Sequence, residues 1–298
     1  MSRLEAAVLG RVGIDLYPTE LGTPLREVRT YTRFVGGFAG NVSTGLARLG
    51  VRVGIVSRVG AEGHGDFVRD FLSSEGVDVR FLATDPYWPT PPTFCEVWPP
   101  DRFPITFYRR PTAPDWQLSP DDFDAEEVAT APLLYATGTG LAQSPSRETT
   151  LAVLESHRGA TIFDLDWRPA LWHDPDEYPP LAARASRLAD IVVGNEEELE
   201  AASLPKRPAR LVLKRGERGA TVYDGDEEVA VPGFPVEVVN GLGAGDAFAA
   251  ALGHGLLRDF PLAEAVRRGT VAGALVAAQL ACSEAMPRLE ELEEELAT

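Results

Sequence analysis

Short apolar runs alternate with longer amphipathic stretches along most of the chain. The apolar runs have the length and composition of buried strands, and they are Ala7–Ile14, Val51–Val59, Leu133–Thr137, Ala160–Asp166, Asp190–Gly194 and Leu211–Lys214. The stretches between them have the spacing of helices with one packed face, and they are Gly40–Leu49, Gly65–Glu75, Ser146–His157, Leu181–Ala189 and Glu196–Ala202. This alternation predicts an α/β fold whose mostly parallel central sheet is flanked by helices on both faces. In such sheets, ligands bind outside the carboxyl ends of the strands.

Two segments interrupt this alternation. Leu16–Phe34 and Asp85–Thr112 are rich in proline, threonine, arginine and aromatic residues. Within the second segment, Thr93–Trp98 and Ile105–Arg109 alternate between polar and apolar positions, as short strands do. The two segments predict a small β appendage on the α/β body. We interpret it as a lid over a cleft, and a surface excursion or a dimer arm is the alternative.

Composition narrows the classes of protein that the chain can represent. Its 298 residues, 44% of them hydrophobic, can bury a sizeable core, although length alone does not decide between one domain and two. No apolar run approaches the roughly 18 residues of a membrane span, and the N-terminus lacks the pattern of a signal peptide. The chain has two cysteines, which favours a reducing compartment, so we expect a cytoplasmic protein. The net charge of −17 argues against a nucleic-acid partner.

The strongest local signal lies near the C-terminus, at Val236–Leu257. Its pattern predicts a strand at Val236–Val239, a glycine-rich turn and then a helix that begins at Asp246. Glycines let backbone N–H groups converge, and a helix N-terminus adds partial positive charge, so this turn predicts an anion hole for a phosphoryl group. Asp246 could cap the helix, or it could take a proton from a hydroxyl that attacks the phosphate.

Two other kinds of nucleotide site are poorly supported. The pattern G-x-x-x-x-G-K-[ST] of a P-loop does not occur in the chain. After the first strand, the glycines at Gly10 and Gly13 lack the spacing of a dinucleotide fingerprint, which argues against a dehydrogenase.

Two distant motifs carry a family resemblance. Gly243-Ala244-Gly245-Asp246 opens the late helix, and the segment from Gly36 and Gly37 to Asn41 opens the first one. Together they resemble the signatures of the ribokinase-like (PfkB-type) carbohydrate kinases, over essentially the whole chain. The resemblance implies one ribokinase-like domain of three layers over residues 1–298, with a β lid from about 16–34 and 85–112. It also implies a homodimer formed through the lid, and transfer of phosphate from ATP with Mg²⁺.

The resemblance also implies roles for residues at the acceptor end. Asp246 would deprotonate the acceptor hydroxyl, while the backbone of Gly243, Ala244 and Gly245 would stabilise the charge in transfer. The sugar would lie against Gly36, Gly37, Asn41 and Asp15. Glycines allow close approach, and an amide can both donate to and accept from hydroxyls. Asp15 could instead be a turn residue.

Roles at the ATP end follow from the same resemblance. Asn195 and Glu198 resemble the N-x-x-E motif, in which Glu198 would order water on Mg²⁺; a plain acidic helix start is the alternative. Lys214, Gly216 and Gly219 resemble a nucleotide-binding K-x-G-x-x-G, and a surface hairpin is the alternative. Asn240 stands where the family has a monovalent-cation loop, with asparagine and glycine replacing its usual D-T, so a requirement for K⁺ is in doubt.

Two segments bear on the acceptor. Asp164, Asp166 and Arg168 would face one side if their strand stayed extended, and Arg109 lies in the lid segment. Arginine recognises a carboxylate through two parallel hydrogen bonds, although either arginine could instead be paired with a nearby aspartate. Both segments resemble the branch of the family that phosphorylates keto-deoxy sugar acids.

Within that branch, the resemblance favours 5-dehydro-2-deoxygluconate, an intermediate of inositol catabolism. The next candidate is 2-keto-3-deoxygluconate, followed by fructose or ribose. A different class, a catalytically silent sugar- or nucleotide-binding protein, would be expected to lack Asp246 or the glycines before it, and this chain keeps them.

Overall fold

The computed structural model describes residues 3–297, so residues 1, 2 and 298 of the predicted domain lie outside it. The strands are β1 Ala6–Leu9, β2 Gly13–Pro18, β3 Tyr31–Gly36, β4 Val53–Gly60, β5 Leu82–Asp85, β6 Pro92–Cys95, β7 Ile105–Phe107, β8 Leu133–Thr137, β9 Ala160–Asp164, β10 Ile191–Asn195, β11 Arg210–Lys214, β12 Ala220–Asp224 and β13 Glu227–Val231. The α-helices are α1 Phe38–Arg48, α2 Gly63–Ser74, α3 Ala125–Ala129, α4 Ser146–Ser156, α5 Tyr178–Leu188, α6 Glu196–Ala202, α7 Ala244–Leu257, α8 Leu262–Ala277 and α9 Leu289–Leu296.

The main sheet has the strand order β13-β12-β11-β10-β9-β8-β1-β4-β5. Strands β11 to β5 in this order are all parallel, and β12 and β13 add an antiparallel edge. Parallel strands are buried on both faces, which is why they appear in the sequence as continuous apolar runs. The prediction of a mostly parallel central sheet is therefore confirmed.

Helices cover both faces of this sheet. Along β1, Ala6 and Val8 pack in a core with α1, α2, α7 and α8, whereas Ala7 and Leu9 pack in a second core with α4, α5 and α6. Successive side chains of a strand point to opposite faces, so this alternation places one apolar core on each side of the sheet. The result is a three-layer arrangement.

The structure corrects two of the predicted strands. The run Ala7–Ile14 divides into β1 and the start of β2, because the chain leaves the main sheet after Leu9 and enters a second sheet at Gly13. The strand predicted at Val236–Val239 is wrong. This segment pairs with no strand, and the N–H groups of Val239 and Asn240 donate to the carbonyl of Ala277 at the end of α8, at 2.9 and 3.1 Å.

A four-stranded sheet, in the order β3-β2-β6-β7, stands apart from the main sheet. Both segments that interrupt the α/β alternation contribute to it. Its strands β2 and β3 connect the end of β1 to the start of α1, so this sheet extends from the carboxyl edge of the main sheet. That is the edge at which ligands bind in folds of this class.

Candidate active site

A hydrogen-bonded cluster forms where three neighbouring strands of the main sheet end. Arg11 follows β1, Thr139 follows β8 and Asp166 follows β9. Arg11 donates to Thr139 Oγ1 at 2.8 Å and to Asp166 Oδ2 at 3.1 Å, and the Thr139 hydroxyl lies 2.6 Å from the same carboxylate oxygen. The strand order reverses beside β1, and this reversal is the usual place for a ligand crevice.

Asp246 lies in the first turn of α7 and faces this crevice. Its Oδ2 accepts a hydrogen bond from Asn41 Nδ2 at 2.7 Å. Burial raises the pKa of Asp246 to about 6, with a further rise from Asp166, while the hydrogen bond from Asn41 and the charges of Arg11 and Arg168 oppose that rise. Asp246 is thus ionised at neutral pH and basic enough to accept a proton.

The backbone that precedes Asp246 presents free donors. Within residues 3–297, the N–H groups of Gly243, Ala244 and Gly245 make no hydrogen bond. Gly243 caps the helix with φ 82°, and a Cβ there would lie 2.7 Å from Cys282 Sγ, so no other residue fits this turn without rearrangement. Free N–H groups at the start of a 14-residue helix form an anion hole beside Asp246.

The signature at the start of α1 is held by close contacts that exclude side chains. A Cβ on Gly36 would lie 2.1 Å from the carboxyl carbon of Asp15, and one on Gly37 would lie 2.7 Å from the carbonyl oxygen of Arg11. Gly37 also has φ 84°. Because these glycines lack side chains, the backbone between β3 and α1 can pass close to Asp15 and Arg11. Helix α1 then places Asn41 within hydrogen-bond distance of Asp246.

These groups surround one cleft of about 80 Å³ between the two sheets. Its predicted lining residues are Asp15, Gly37, Asn41, Arg168, Gly243 and Asp246, and Arg11, Tyr17, Thr93, Cys95, Phe107, Asp166 and Cys282 are among the others. Asn41 is 3% exposed, and its Oδ1 has no hydrogen-bond partner in the described part of the chain. A buried acceptor without a partner is costly unless a ligand supplies a donor, as a sugar hydroxyl would.

Asp15 lines this cleft together with the carboxyl groups of Asp166 and Asp246. Burial raises its pKa to about 6, although Arg11, Arg109 and a hydrogen bond with Thr93 oppose the rise. Asp15 and Asp246 therefore face the cleft with similarly raised pKa values, and they lie on different elements, β2 and α7. Both can accept hydrogen bonds from hydroxyls of a ligand.

A second cluster lies farther along the same edge, at the ends of β9, β10 and β11. Lys214 Nζ lies 3.0 Å from Asp164 Oδ2 and 3.8 Å from Glu198 Oε2. Burial raises the pKa of Asp164, and Lys214 opposes the rise. A Cβ on Gly245 would lie 3.9 Å from Lys214 Nζ, so the ammonium group is close to the anion hole.

Asn195 and Glu198 form a reciprocal cap at the start of α6. Asn195 Oδ1 accepts from the N–H of Glu198, and Glu198 Oε2 accepts from the N–H of Asn195, both at 2.8 Å. The side chain of Asn195 therefore caps α6, as expected if this segment is a plain helix start, which was the alternative to a nucleotide-binding role. Glu198 is 4% exposed and also lies beside Lys214, so it belongs to the lysine cluster as well.

The loop Gly216–Arg218 joins β11 to β12 in an antiparallel hairpin. Gly216 is exposed, has φ 58° and has open space where a Cβ would be. Gly219 is buried with φ 84°, and a Cβ there would lie 2.2 Å from the carbonyl oxygen of Val231. Gly216 thus leaves room beside Lys214, whereas Gly219 is required by packing against β13.

Asn240 is fully buried in the turn before α7. Its Oδ1 accepts from the N–H of Leu242 at 3.1 Å, and its Nδ2 donates to the carbonyl of Leu280 at 2.7 Å. The amide thus bridges two backbone segments by hydrogen bonds. Within residues 3–297, no group of three or more His, Cys, Asp or Glu side chains is placed to hold a metal ion.

The structure separates residues that the sequence grouped together. The strand does not stay extended after Asp164, because Asp166 has φ 34°, so the three charged side chains of this segment do not face one side. Asp164 pairs with Lys214, whereas Asp166 accepts from Arg11 and lies 3.2 Å from Arg168 Nε. Asp166 and Arg168 line the acceptor cleft, and Asp164 does not.

Arg109 is not brought to the acceptor cleft. It is 4% exposed, it forms a two-pronged ion pair with Asp115, with Nη1 to Oδ1 at 2.7 Å, and its guanidinium lies over the Trp116 ring. Burial lowers the pKa of Arg109 to about 10, and Asp115 opposes that shift. Arg109 is thus paired with a nearby aspartate, Asp115, which was the alternative to a role in acceptor binding.

Sequence reasoning missed Arg11. It is 8% exposed, it lines the cleft and it pairs with Asp166, which is 155 positions away in the chain. The available signal was its position, since an arginine that directly follows a buried strand lies at the edge where ligands bind.

The fold and the cleft define a class of protein. An ionised carboxylate beside free N–H groups at a helix start, with a lysine nearby, can deprotonate a hydroxyl and stabilise a phosphoryl group in transfer. These are the components of a phosphotransferase that acts on a small hydroxylated molecule.

Comparison with known proteins gives the family. The model of the pfkB family carbohydrate kinases matches residues 3–289, so the chain belongs to this family. It is 34% identical to the 5-dehydro-2-deoxygluconokinase of Clostridium tetani, over 98% of this chain and 92% of that protein. It is 35% identical to the protein of the same name from Shouchella clausii, over 97% and 94% of the two chains.

Solved structures agree with the family. An uncharacterised sugar kinase from Pyrococcus horikoshii, in complex with ATP, matches with a TM-score of 0.87 and 28% identity over 97% of both chains. A fructokinase from Vibrio cholerae, bound to fructose, ADP and calcium ion, matches with a TM-score of 0.87 and 26% identity over 98% of both chains. The ribokinase-like fold and the class of carbohydrate kinase, both expected from the sequence, are confirmed.

Proposed function

We propose that this chain transfers the γ-phosphoryl group of ATP to a hydroxyl of 5-dehydro-2-deoxygluconate. The observation that carries the choice of a sugar acid is the pair of arginines, Arg11 and Arg168, that line one cleft with Asp246. The chain has a net charge of −17, so an anionic acceptor needs such local positive charge. The curated relatives named for this substrate support the choice.

Asp246 acts as the general base in this proposal. Its carboxylate takes the proton of the acceptor hydroxyl, whose oxygen forms a bond to the γ-phosphorus while the bond from that phosphorus to the β–γ bridging oxygen breaks, leaving ADP. Asn41 orients Asp246 through its amide N–H and offers its free Oδ1 to the acceptor. The N–H groups of residues 243–245 stabilise the charge on the phosphoryl oxygens.

Lys214, Gly216 and Glu198 form the ATP end. The lysine ammonium near Gly245, with open space at Gly216, suits a triphosphate that approaches the anion hole. Mg²⁺ bound with ATP would neutralise phosphate charge, and Glu198 would hold one of its water molecules, since this ion keeps most of its water. Both polar groups of Asn240 are already bonded, so we propose no role for K⁺ at that residue.

We propose that the four-stranded sheet is the lid of this cleft within a single domain, in a cytoplasmic enzyme. Asp15, Thr93 and Phe107 line the cleft from three adjacent strands of this sheet. The acceptor would therefore be held between the two sheets. Within residues 3–297, no helix has the length and hydropathy to cross a membrane.

A panel of acceptors tests the substrate, with Arg168→Met as the variant. We expect ADP formation from ATP to be fastest with 5-dehydro-2-deoxygluconate, compared with 2-keto-3-deoxygluconate, fructose and ribose. Each charge-assisted contact is worth about 1.5–3 kcal/mol, so Arg168→Met should lower kcat/KM for the acid by about ten- to a hundred-fold. The apparent affinity for ATP should stay the same.

The control for this variant is Arg187→Met, because Arg187 is exposed on α5 and has no partner in the described residues. It should behave like the parent enzyme. A parent that prefers fructose would overturn the substrate, and an equal loss on all four acceptors in Arg168→Met would overturn the role of Arg168.

The outer face of the lid supports the homodimer. Tyr31, Phe94 and Tyr108 form an aromatic row on the face away from the cleft, with ring centroids 5.3 Å apart in each successive pair, and Tyr108 is 58% exposed. A short sheet with an exposed aromatic row and open edges is typical of a surface that another chain covers. We propose that a second copy of this chain covers it.

We predict that Tyr108→Glu weakens this dimer by about ten-fold or more, because it places a charge in the aromatic row that the second copy would cover. Analytical ultracentrifugation at several concentrations measures the dissociation constant. Tyr87→Glu is the matched control, since Tyr87 is 87% exposed and lies outside the lid strands. A parent chain that is monomeric at micromolar concentration would contradict the proposal.

A further inference from the structure

A second cavity, of about 660 Å³, lies next to the acceptor cleft. Its walls come from three segments: the stretch from Phe107 at the end of β7 to Trp116, the stretch from Ala142 to Arg147 in the first turn of α4, and the loop between β9 and α5. Its size is within the range of sites that hold small organic ligands. The chemistry assigned above to the acceptor and to ATP does not use this cavity, and among residues 3–297 Phe107 is the one that lines both spaces.

The charges on its walls are unusual for this protein. In the part of the chain that the structure describes, its lining contains three arginines, Arg109, Arg110 and Arg147, and one carboxylate, Glu177. Arg109 is neutralised from behind by Asp115, but Arg110 is exposed and has no hydrogen bond or ion pair within residues 3–297. Arg147 pairs with Glu177, so Arg110 supplies the local surplus of positive charge in a chain whose net charge is −17.

Arg147 is held in place by its neighbours. Its Nε donates to the carbonyl of Leu141 at 2.9 Å, and its Nη2 donates to Glu177 Oε2 at 2.6 Å and to the carbonyl of Ala142 at 3.3 Å. Within residues 3–297, its Nη1 has no partner and is the group that can bind a ligand. A guanidinium fixed in this way loses little entropy when it binds an anion. His173 also lines the cavity, is exposed and lacks a partner in the described residues, so a ring N–H can donate to the same anion.

Part of the lining is apolar. Trp116 and Leu171 belong to it, and Phe107 also borders the acceptor cleft. A ligand that fits both the basic and the apolar parts has a carbon skeleton and at least one strongly anionic group. Arginine forks match phosphate and carboxylate oxygens equally well.

We propose that this cavity is a binding site for a phosphorylated sugar acid, separate from the acceptor cleft. Arg110 and Arg147 bind the phosphate, and Trp116 and Leu171 contact the carbon skeleton. Because Phe107 is shared, an occupied cavity restricts the lid strand that carries it and so alters acceptor binding. Binding of the ligand in this cavity does not depend on which acceptor the enzyme phosphorylates.

Titration of the full chain with 6-phosphogluconate tests the site, with calorimetry and tryptophan fluorescence as readouts. We expect saturable binding that changes the fluorescence of Trp116, and this change should vanish in Trp116→Phe. Arg110→Ala should weaken binding by about ten- to a hundred-fold while it leaves kcat and KM of the kinase reaction unchanged in the absence of the probe. Arg187→Ala is the matched control on an exposed arginine and should bind like the parent.

Arg168→Met separates this cavity from the acceptor cleft. If the probe occupies the second cavity, its affinity stays the same in Arg168→Met and falls in Arg110→Ala. The reverse result would place the probe in the acceptor cleft and overturn the proposal. Absence of binding at millimolar concentration, or binding that inorganic phosphate alone reproduces, would overturn it as well.

Discussion

Replacing Asp246 with asparagine is expected to lower kcat by about 10²–10⁴, the usual contribution of a positioned base, with ATP and acceptor affinity nearly unchanged. Asparagine has the same shape, and its carbonyl oxygen can still accept the hydrogen bond from Asn41. What it cannot do is take the proton of the acceptor hydroxyl. Steady-state kinetics of ADP formation measure the change, and turnover within about threefold of the parent would contradict the role.

The pH dependence gives a second measurement of the same role. The pKa of Asp246 is raised to about 6, so the carboxylate is ionised above that pH and protonated below it. Activity of the parent should therefore fall as the pH drops through about 6, to roughly a tenth one unit lower. The residual activity of Asp246→Asn should lack this acid limb.

Asp15 requires its own control, because its pKa is also raised to about 6. Asp15→Asn should increase KM for the acceptor but keep the acid limb in kcat. If the limb disappears in Asp15→Asn and remains in Asp246→Asn, the two carboxylates have the opposite roles.

The fold could be predicted well from the sequence, for a physical reason. Parallel strands are apolar on both faces, so Leu133–Thr137 appears as one continuous run and has the same bounds in the structure. Val236–Val239 is also rich in β-branched apolar residues, but it pairs with no strand of the described chain, and the N–H of Val239 donates to the end of α8, a partner that only the tertiary fold supplies. Composition predicts an extended segment and does not reveal what it pairs with.

The site could be predicted where chemistry is local, as at Asp246 and the glycines before it. The site could not be predicted where charge pairs connect segments that are distant in the sequence. Asp164 and Asp166 are two positions apart in the sequence, yet one pairs with Lys214 and the other with Arg11, because the chain turns at Asp166, which has φ 34°. Which arginine faces the cleft depends on such pairings, and spacing along the chain does not determine them.

Replacing Arg109 with methionine is expected to lower the free energy of unfolding by about 3–5 kcal/mol, because it leaves a buried carboxylate without its partner. Asp115 is 4% exposed, and apart from Arg109 its carboxylate accepts from the N–H of Val12 at 2.9 Å. The neighbouring variant Arg110→Met is the matched control. Arg110 is exposed and unpaired in the described residues, so its loss should change stability by no more than about 0.5 kcal/mol.

Urea denaturation of the full chain measures both variants. The double variant Arg109→Met with Asp115→Asn should recover part of the lost stability, since asparagine removes the unpaired charge and can still accept from the N–H of Val12. A structural role predicts this recovery together with kinetic constants close to those of the parent. If Arg109→Met instead unfolds like the parent but loses activity on sugar acids alone, Arg109 leaves Asp115 to bind the acceptor, and the role first expected from the sequence is the correct one.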